Sequence, residues 1–150
     1  MLHDIGLTLR GDGRQRFELD GADVAAELLT AQGLEPDRVD TVWTAIALHT
    51  SFGIHTHERM RPEVALTAAG IGMDFGTNAD LVDEQLAEAI HRAYPRQELT
   101  RVLVDAIVAQ AKERPSKAAP YTFPGGLLRE RCAGIMTRTE QAAQASRWGS

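Results

Sequence analysis

The stretch that decides the fold class of this chain covers residues 39–47 and reads VDTVWTAIA. Its apolar positions follow the spacing i, i+3, i+4, i+7 and i+8, which are Val39, Val42, Trp43, Ile46 and Ala47. Side chains at this spacing share one face of an α-helix, whereas a half-buried strand would need strict alternation. Pro36 stands just ahead of the stretch, where the first turn of a helix tolerates it. The stretch therefore predicts a helix with one buried face.

Similar spacing recurs on both sides of this helix. Four more helices are predicted, from Asp20 as N-cap to Gln32, from Pro62 towards Met73, from Asp80 to Pro95 and from Gln97 to Lys112. The one that begins near Pro62 is apolar on several sides, so we expect it to be the most buried. The prolines and glycines of residues 114–126 predict a surface loop, and a short helix is expected over residues 127–136.

No stretch of five or more residues alternates cleanly between apolar and polar, so strands are not expected. The prediction is an all-α fold, a single-domain bundle of five to seven helices over residues 1–136. A polar C-terminal tail is expected at residues 137–150.

Composition and charge exclude several classes of protein. The 150 residues carry 16 basic and 21 acidic side chains, a formal charge of −5, which argues against a nucleic-acid binder. No apolar run approaches the roughly 20 residues that a membrane-spanning helix needs, and no signal segment follows Met1. The single cysteine, Cys132, excludes an intramolecular disulfide and a multi-cysteine zinc site. We therefore expect a cytoplasmic protein with neither a nucleic-acid nor a membrane partner.

The first candidate for chemistry is the adjacent pair His3 and Asp4. The residues from Leu2 to Ile5 look like the last turn of a helix that Gly6 ends. At such an end the backbone is free to turn both side chains towards one cation. Neighbours inside a helix cannot do this, because they diverge by about 100°. The pair alone is a weak signal, since His-Asp occurs often by chance.

Five short motifs extend this signal along the chain. They are LHDIGL at residues 2–7, RFE at 16–18, DGAD at 20–23, AIALHTS at 45–51 and YPR at 94–96. In this order they resemble the HD-domain superfamily, and within it the small branch that includes the cyanamide hydratase-like proteins. The resemblance covers most of residues 2–115. It implies an all-helical fold of the HD-domain type that binds one divalent metal ion through an upstream histidine, a His-Asp pair and a later aspartate.

The resemblance assigns three metal ligands. His3 and Asp4 match the pair, and Asp74, in GIGMDFG at residues 70–76, matches the later aspartate. This mixed nitrogen and oxygen set suits zinc, iron(II) or manganese. For Asp74 the alternative is a capping or solvent-facing role near Gly76. The family's upstream histidine has no counterpart, because the sequence begins inside the helix that should follow it. We therefore expect a chain truncated at its N-terminus relative to the family, or one in which another group fills the position, or one that has lost the metal.

His49 continues the inward face of the helix that contains Val42 and Ile46, so its side chain points to the core or to a pocket within it. The resemblance implies a catalytic role for His49 together with Asp4, and a substrate-binding role for His49 together with Thr50. The alternative is an interior histidine that takes no part in chemistry.

The resemblance implies a metal-dependent hydrolase or hydro-lyase that adds metal-activated water to a small molecule, as in the hydration of a nitrile-type carbon. Two alternatives remain open. One is a phosphohydrolase acting on a nucleotide or phosphate ester, for which Arg10, Arg14 and Arg16 would supply positive charge. The other is a degenerate, non-catalytic HD domain that serves as an interaction module. The missing upstream helix also predicts open apolar surface near Leu2 and Ile5, and with it a homodimer.

Overall fold

The computed structural model describes residues 2–148, and this part of the chain consists of helices and loops, with no strand. Its seven α-helices are α1 (Phe17–Ala31), α2 (Pro36–Leu48), α3 (Pro62–Asp74), α4 (Glu84–Ala93), α5 (Leu99–Glu113), α6 (Phe123–Cys132) and α7 (Arg138–Ala145). Three short 3₁₀ helices are Ile5–Leu7, Ala79–Leu81 and Pro115–Ala118. The predicted all-α class and number of helices are confirmed. Over the described range, no helix combines the length and apolar character needed to cross a membrane.

Helix α1 contributes to both buried apolar clusters of the fold. The first joins α1 to α5 and α6, through Phe17, Val104, Ile107, Val108 and Leu127. The second joins α1 to α2, through Ala22, Ala25, Ile46 and Ala47. On the predicted inner face of α2, Val39, Ile46 and Ala47 are buried, which confirms the helical pattern.

Helix α3 is not the most buried helix, contrary to the sequence prediction. Its buried residue is Val64, whereas Leu66 is 69% exposed. The reason is that α3 packs mainly on α2 and turns another side towards a cavity. Helix α5 is buried more deeply, at Thr100, Val104, Ile107, Val108 and Ala111.

Helix α1 begins at Phe17 with Arg16 as its N-cap, four residues earlier than predicted, so Asp20 is not the N-cap. Asp20 lies instead in the first turn, with a side chain that is only 6% exposed. Its Oδ1 accepts a hydrogen bond from the backbone N–H of Gln15 at 3.1 Å, and its Oδ2 lies 2.7 Å from Lys117 Nζ. The carboxylate therefore serves a long-range ion pair rather than a helix cap.

The segment 114–126, predicted as a surface loop, is partly inside the protein. Lys117, in the 3₁₀ helix of this segment, is only 2% exposed. Its ammonium group is buried because the carboxylates of Asp12 and Asp20 lie 2.8 and 2.7 Å from Nζ. A buried charge needs such partners, and here they come from the opposite end of the chain.

The last two helices begin at threonine caps. Thr122 accepts a hydrogen bond from the backbone N–H of Gly125, and α6 begins at Phe123, four residues before its predicted start. Helix α7 lies in the described part of the predicted polar tail. It begins with a capping box, in which Thr137 and Glu140 exchange side-chain and backbone hydrogen bonds.

The chain beyond α7 reaches back to α3 and to the 3₁₀ helix that follows it. Trp148 Nε1 donates to the carbonyl oxygen of Met73 at 2.6 Å. The Arg147 guanidinium donates to the carbonyl oxygens of Ala79 and Val82 at 3.1 and 2.9 Å. These bonds fix the C-terminal end of α7, one side of which lines the cavity described next.

Candidate functional site

A glycine holds the segment that carries His3 and Asp4. At Gly6 a Cβ atom would lie 2.0 Å from the carbonyl oxygen of Phe17, so only a glycine allows the segment to approach α1 this closely. The side-chain amide of Gln110 donates to the carbonyl oxygen of Gly6 at 2.9 Å. Gly6 lies within a 3₁₀ helix and does not end an α-helix, so its predicted role as a helix stop is wrong.

The structure brings His3, Asp4 and His49 together. His3 Nε2 lies 3.1 Å from Asp4 Oδ2, and His49 Nε2 lies 3.8 Å from Asp4 Oδ1. The two imidazole rings meet edge to face with their centres 5.4 Å apart. The Asp4 carboxylate therefore lies close to two imidazoles, that of its neighbour His3 and that of His49 at the end of α2.

His49 is held in one tautomer by its own helix. Its Nδ1 lies 2.6 Å from the carbonyl oxygen of Ile46, which can only accept, so Nδ1 carries the proton and Nε2 keeps a lone pair. Burial lowers the pKa of His49 below its usual 6.5, although the bond to Ile46 and the charge of Asp4 act in the opposite direction. The ring is therefore neutral at pH 7, with its basic nitrogen on the side of Asp4.

Next to His49, Thr50 belongs to a buried polar network. Its hydroxyl donates to Glu18 Oε1 at 2.5 Å, and the Arg16 guanidinium donates to the same carboxylate oxygen at 2.6 Å. Arg16 also donates to Thr50 Oγ1 at 3.3 Å. Glu18 is completely buried, and this network satisfies its Oε1 in place of water.

A cavity of about 430 Å³ opens beside these residues. Its polar end contains His3, Asp4, His49 and Thr50. Its walls are mostly apolar and include Phe17, Phe52, Ile71, Phe75, Leu103 and Phe123. A small organic molecule would lose part of its contact with water here, and this strengthens polar interactions at the polar end of the cavity. His49 is thus both interior and pocket-lining.

Asp74, the third predicted ligand, is paired with an arginine. It lies at the end of α3, where Arg96 donates to its carboxylate at 3.2 Å and to its carbonyl oxygen at 2.8 Å. Among residues 2–148, no three His, Cys, Asp or Glu side chains are arranged to hold a metal ion. The donor chemistry of His3 and Asp4 fits a divalent ion, whereas Asp74 does not fit while Arg96 neutralises it. Sequence reasoning missed Arg96, for which the only signal was its place in the YPR motif.

A second cavity of similar volume lies behind His3. It runs between α2 and the start of α3 and is lined in part by Leu2, Val42, Arg38 and Arg61. His3 borders both cavities.

Comparison of the chain with protein-family models, with curated proteins and with solved structures gave no match. The resemblance to the HD-domain superfamily therefore stays a prediction, carried by the sequence motifs.

Proposed function

We propose that this protein is a small-molecule hydrolase or hydro-lyase that activates water at His3, Asp4 and His49. The observation that carries the proposal is the Asp4 carboxylate, which faces two imidazoles at the polar end of an otherwise apolar cavity. Such a pocket shields the reacting molecule from bulk water while it presents acid–base groups at one point. The motif resemblance to cyanamide hydratase-like proteins favours hydration of a nitrile-type carbon.

The hydrogen bonds and contacts of each side chain determine its role in the reaction. His49 Nε2, unprotonated at pH 7, takes a proton from water as the oxygen attacks the electrophilic carbon. Asp4 stabilises the imidazolium that forms, because its Oδ1 lies 3.8 Å from this nitrogen. The imidazolium then returns the proton to the nitrogen of the product. With cyanamide as substrate, this addition of one water molecule gives isourea, which tautomerises to urea, and no redox partner is needed.

A divalent ion (zinc, iron or manganese) is part of the proposal, with His3 and Asp4 as its ligands. Their donor atoms are 3.1 Å apart, close to the roughly 3.3 Å between two ligands of a tetrahedral ion with bonds of about 2.0–2.2 Å. When bound, such an ion polarises the substrate and lowers the pKa of water. Asp74 would join the two ligands only after release from Arg96.

Urea formation from cyanamide tests the proposal, measured with the purified chain before and after addition of each of the three ions. We expect Asp4→Asn to abolish turnover, and Asp80→Asn, on an exposed carboxylate, to leave it unchanged. Zinc titration of Asp74→Asn reports separately whether this aspartate contributes to ion binding. Turnover that survives in Asp4→Asn would refute the assignment.

A phosphohydrolase is the second candidate, and one observation favours it. Arg129 and Arg138 line the cavity and can face an anionic substrate. The three arginines expected for this role, Arg10, Arg14 and Arg16, do not line it, and Arg16 is paired with Glu18. Release of nitrophenol from p-nitrophenyl phosphate distinguishes this activity from urea formation.

Two expectations remain part of the proposal. One is a cytoplasmic location, which fractionation of the source cells tests. The homodimer follows from the apolar residues Leu2 and Ile5, which are half-buried in the chain. Sedimentation at micromolar concentration distinguishes a dimer from a monomer.

A further inference from the structure

Glu18 determines what the hydroxyl of Thr50 can offer to a molecule in the cavity. A threonine hydroxyl has one proton to donate and two lone pairs that accept. The proton of Thr50 is given to Glu18 Oε1 at 2.5 Å, and one lone pair receives the Arg16 guanidinium at 3.3 Å. Because a carboxylate paired with a guanidinium only accepts, this direction is fixed. One lone pair of Thr50 remains.

Two neighbouring groups at the polar end of the cavity, on His49 and Asp4, are also acceptors. His49 donates through Nδ1 to Ile46, so its Nε2 offers a lone pair. Asp4 offers carboxylate oxygens, and its Oδ1 lies 3.8 Å from His49 Nε2. Behind Thr50, Glu18 Oε2 is buried and has no hydrogen-bond partner among the described residues. Acceptors therefore outnumber donors at this end.

A molecule that offers only acceptors meets two penalties here. Its oxygens would face the lone pairs of Thr50 and His49, and a negative charge placed next to Thr50 would face the Asp4 carboxylate, whereas Arg129 and Arg138 line the cavity elsewhere. A molecule with an N–H group can donate to the open lone pair of Thr50 and avoids leaving that acceptor unpaired.

We propose that Thr50, held as an acceptor by Glu18, is a specificity-determining residue that selects neutral substrates with an N–H donor. This inference rests on the proposed function, because it names the substrate class of the same cavity. It separates amides, ureas and amino nitriles from esters and phosphates by a hydrogen bond that only the first group can donate.

Binding of two probes of equal shape tests the inference without turnover. Benzamide and acetophenone differ in one group, an amide NH₂ in place of a methyl, and both fit a cavity with aromatic walls. We expect the parental protein to bind benzamide about tenfold more tightly in NMR titrations, the gain typical of one hydrogen bond. Thr50→Val should remove this preference and leave the affinity for acetophenone unchanged.

The matched control is Thr44→Val. Thr44 lies on α2, and its hydroxyl donates to Asp40 in its own helix, away from the cavity. It should keep the preference for benzamide. Glu18→Gln tests the origin of the selectivity, because its amide can donate to Thr50 and free the hydroxyl proton, which should move the affinity ratio towards one.

The inference is overturned if the parental protein does not prefer benzamide, or if folded Thr50→Val keeps the preference. Circular dichroism of each variant establishes that it is folded. A selectivity that depends on Thr50, together with absence of urea formation from cyanamide, would refute the proposed function and leave this inference standing.

Discussion

Lys117 Nζ lies 2.7 Å from Asp20 Oδ2, although the two residues are 97 positions apart in the chain. Both side chains are almost completely buried. The same ammonium group lies 2.8 Å from Asp12 Oδ1, and Arg114 pairs with the other oxygen of Asp12. These contacts tie the loop that follows the His3-Asp4 segment to the C-terminal half of the fold.

Replacing the buried lysine tests how much this cluster stabilises the fold. We expect Lys117→Met to lower the free energy of unfolding by about 3–5 kcal/mol, because it leaves Asp20 and part of Asp12 without a counter-charge. Urea denaturation gives the value. Lys112→Met, on an exposed lysine of α5, should stay within about 0.5 kcal/mol of the parental chain. Equal losses in the two variants would contradict the role of the cluster.

Adding one methyl group at Gly6 should separate the N-terminal segment from α1. A Cβ there would lie 2.0 Å from the Phe17 carbonyl oxygen and 2.9 Å from the Gly21 nitrogen, both on backbone that cannot move aside. We expect Gly6→Ala to destabilise the protein by at least about 2 kcal/mol. Gly70→Ala in α3, where a Cβ meets nothing within 4 Å, should be neutral or stabilise by roughly 0.5–1 kcal/mol. Thermal melting of the two variants compares them directly, and similar melting temperatures would argue against the close packing.

Removal of the proposed base should affect turnover more than fold. We expect His49→Ala to reduce urea formation from cyanamide by about 10²–10⁴, the usual contribution of an acid–base group, with zinc content nearly intact. His57→Ala, on an exposed loop histidine, serves as the control and should keep full activity. If His49→Ala loses its fold before its activity can be measured, and His49→Gln folds with full activity, the interior-histidine alternative is favoured.

The cap of α7 should make stability depend on pH. Burial by itself would raise the pKa of Glu140, but hydrogen bonds from Thr137 and the ion pair with Arg131 outweigh it and lower this pKa below the usual 4.5. A lowered pKa in the folded state gives stability that is present above pH 4.5 and is lost as the pH falls through the folded value. We expect Glu140→Gln to lower the melting temperature at pH 7, with a difference that shrinks towards pH 3. A difference independent of pH would show that charge is not involved.

Local patterns in the sequence predict the parts of this structure that depend on local physics. The inner face of α2 follows from spacing alone, and the inward direction of His49 follows from the same periodicity. The partners of polar side chains cannot be predicted in this way, because periodicity places a charged residue on one face of a helix but does not identify the distant group that it contacts. The pairing of Arg96 with Asp74, and that of Glu18 with Thr50, are of this kind.

Proline and glycine content misled the prediction for residues 114–126 for a related reason. Turn residues mark where the chain bends, and the segment does bend through a 3₁₀ helix. Turn residues do not indicate whether a segment is buried or exposed. Lys117 is buried because the carboxylates of Asp12 and Asp20 lie close enough to balance its charge.

The pairing of Lys117 with Asp12 and Asp20 also implies that the N-terminal segment is synthesised well before the residues that bind it. The ribosome makes residues 2–20 first, yet the groups that seat them, on Gln110, Arg114 and Lys117, follow 97 to 105 positions later. Until those residues emerge, the His3-Asp4 segment has only its packing on α1, and contacts of such long sequence separation form slowly. A nascent chain stalled before residue 110 would therefore carry helices but no assembled site, which would form only after residues 110–117 have left the ribosome.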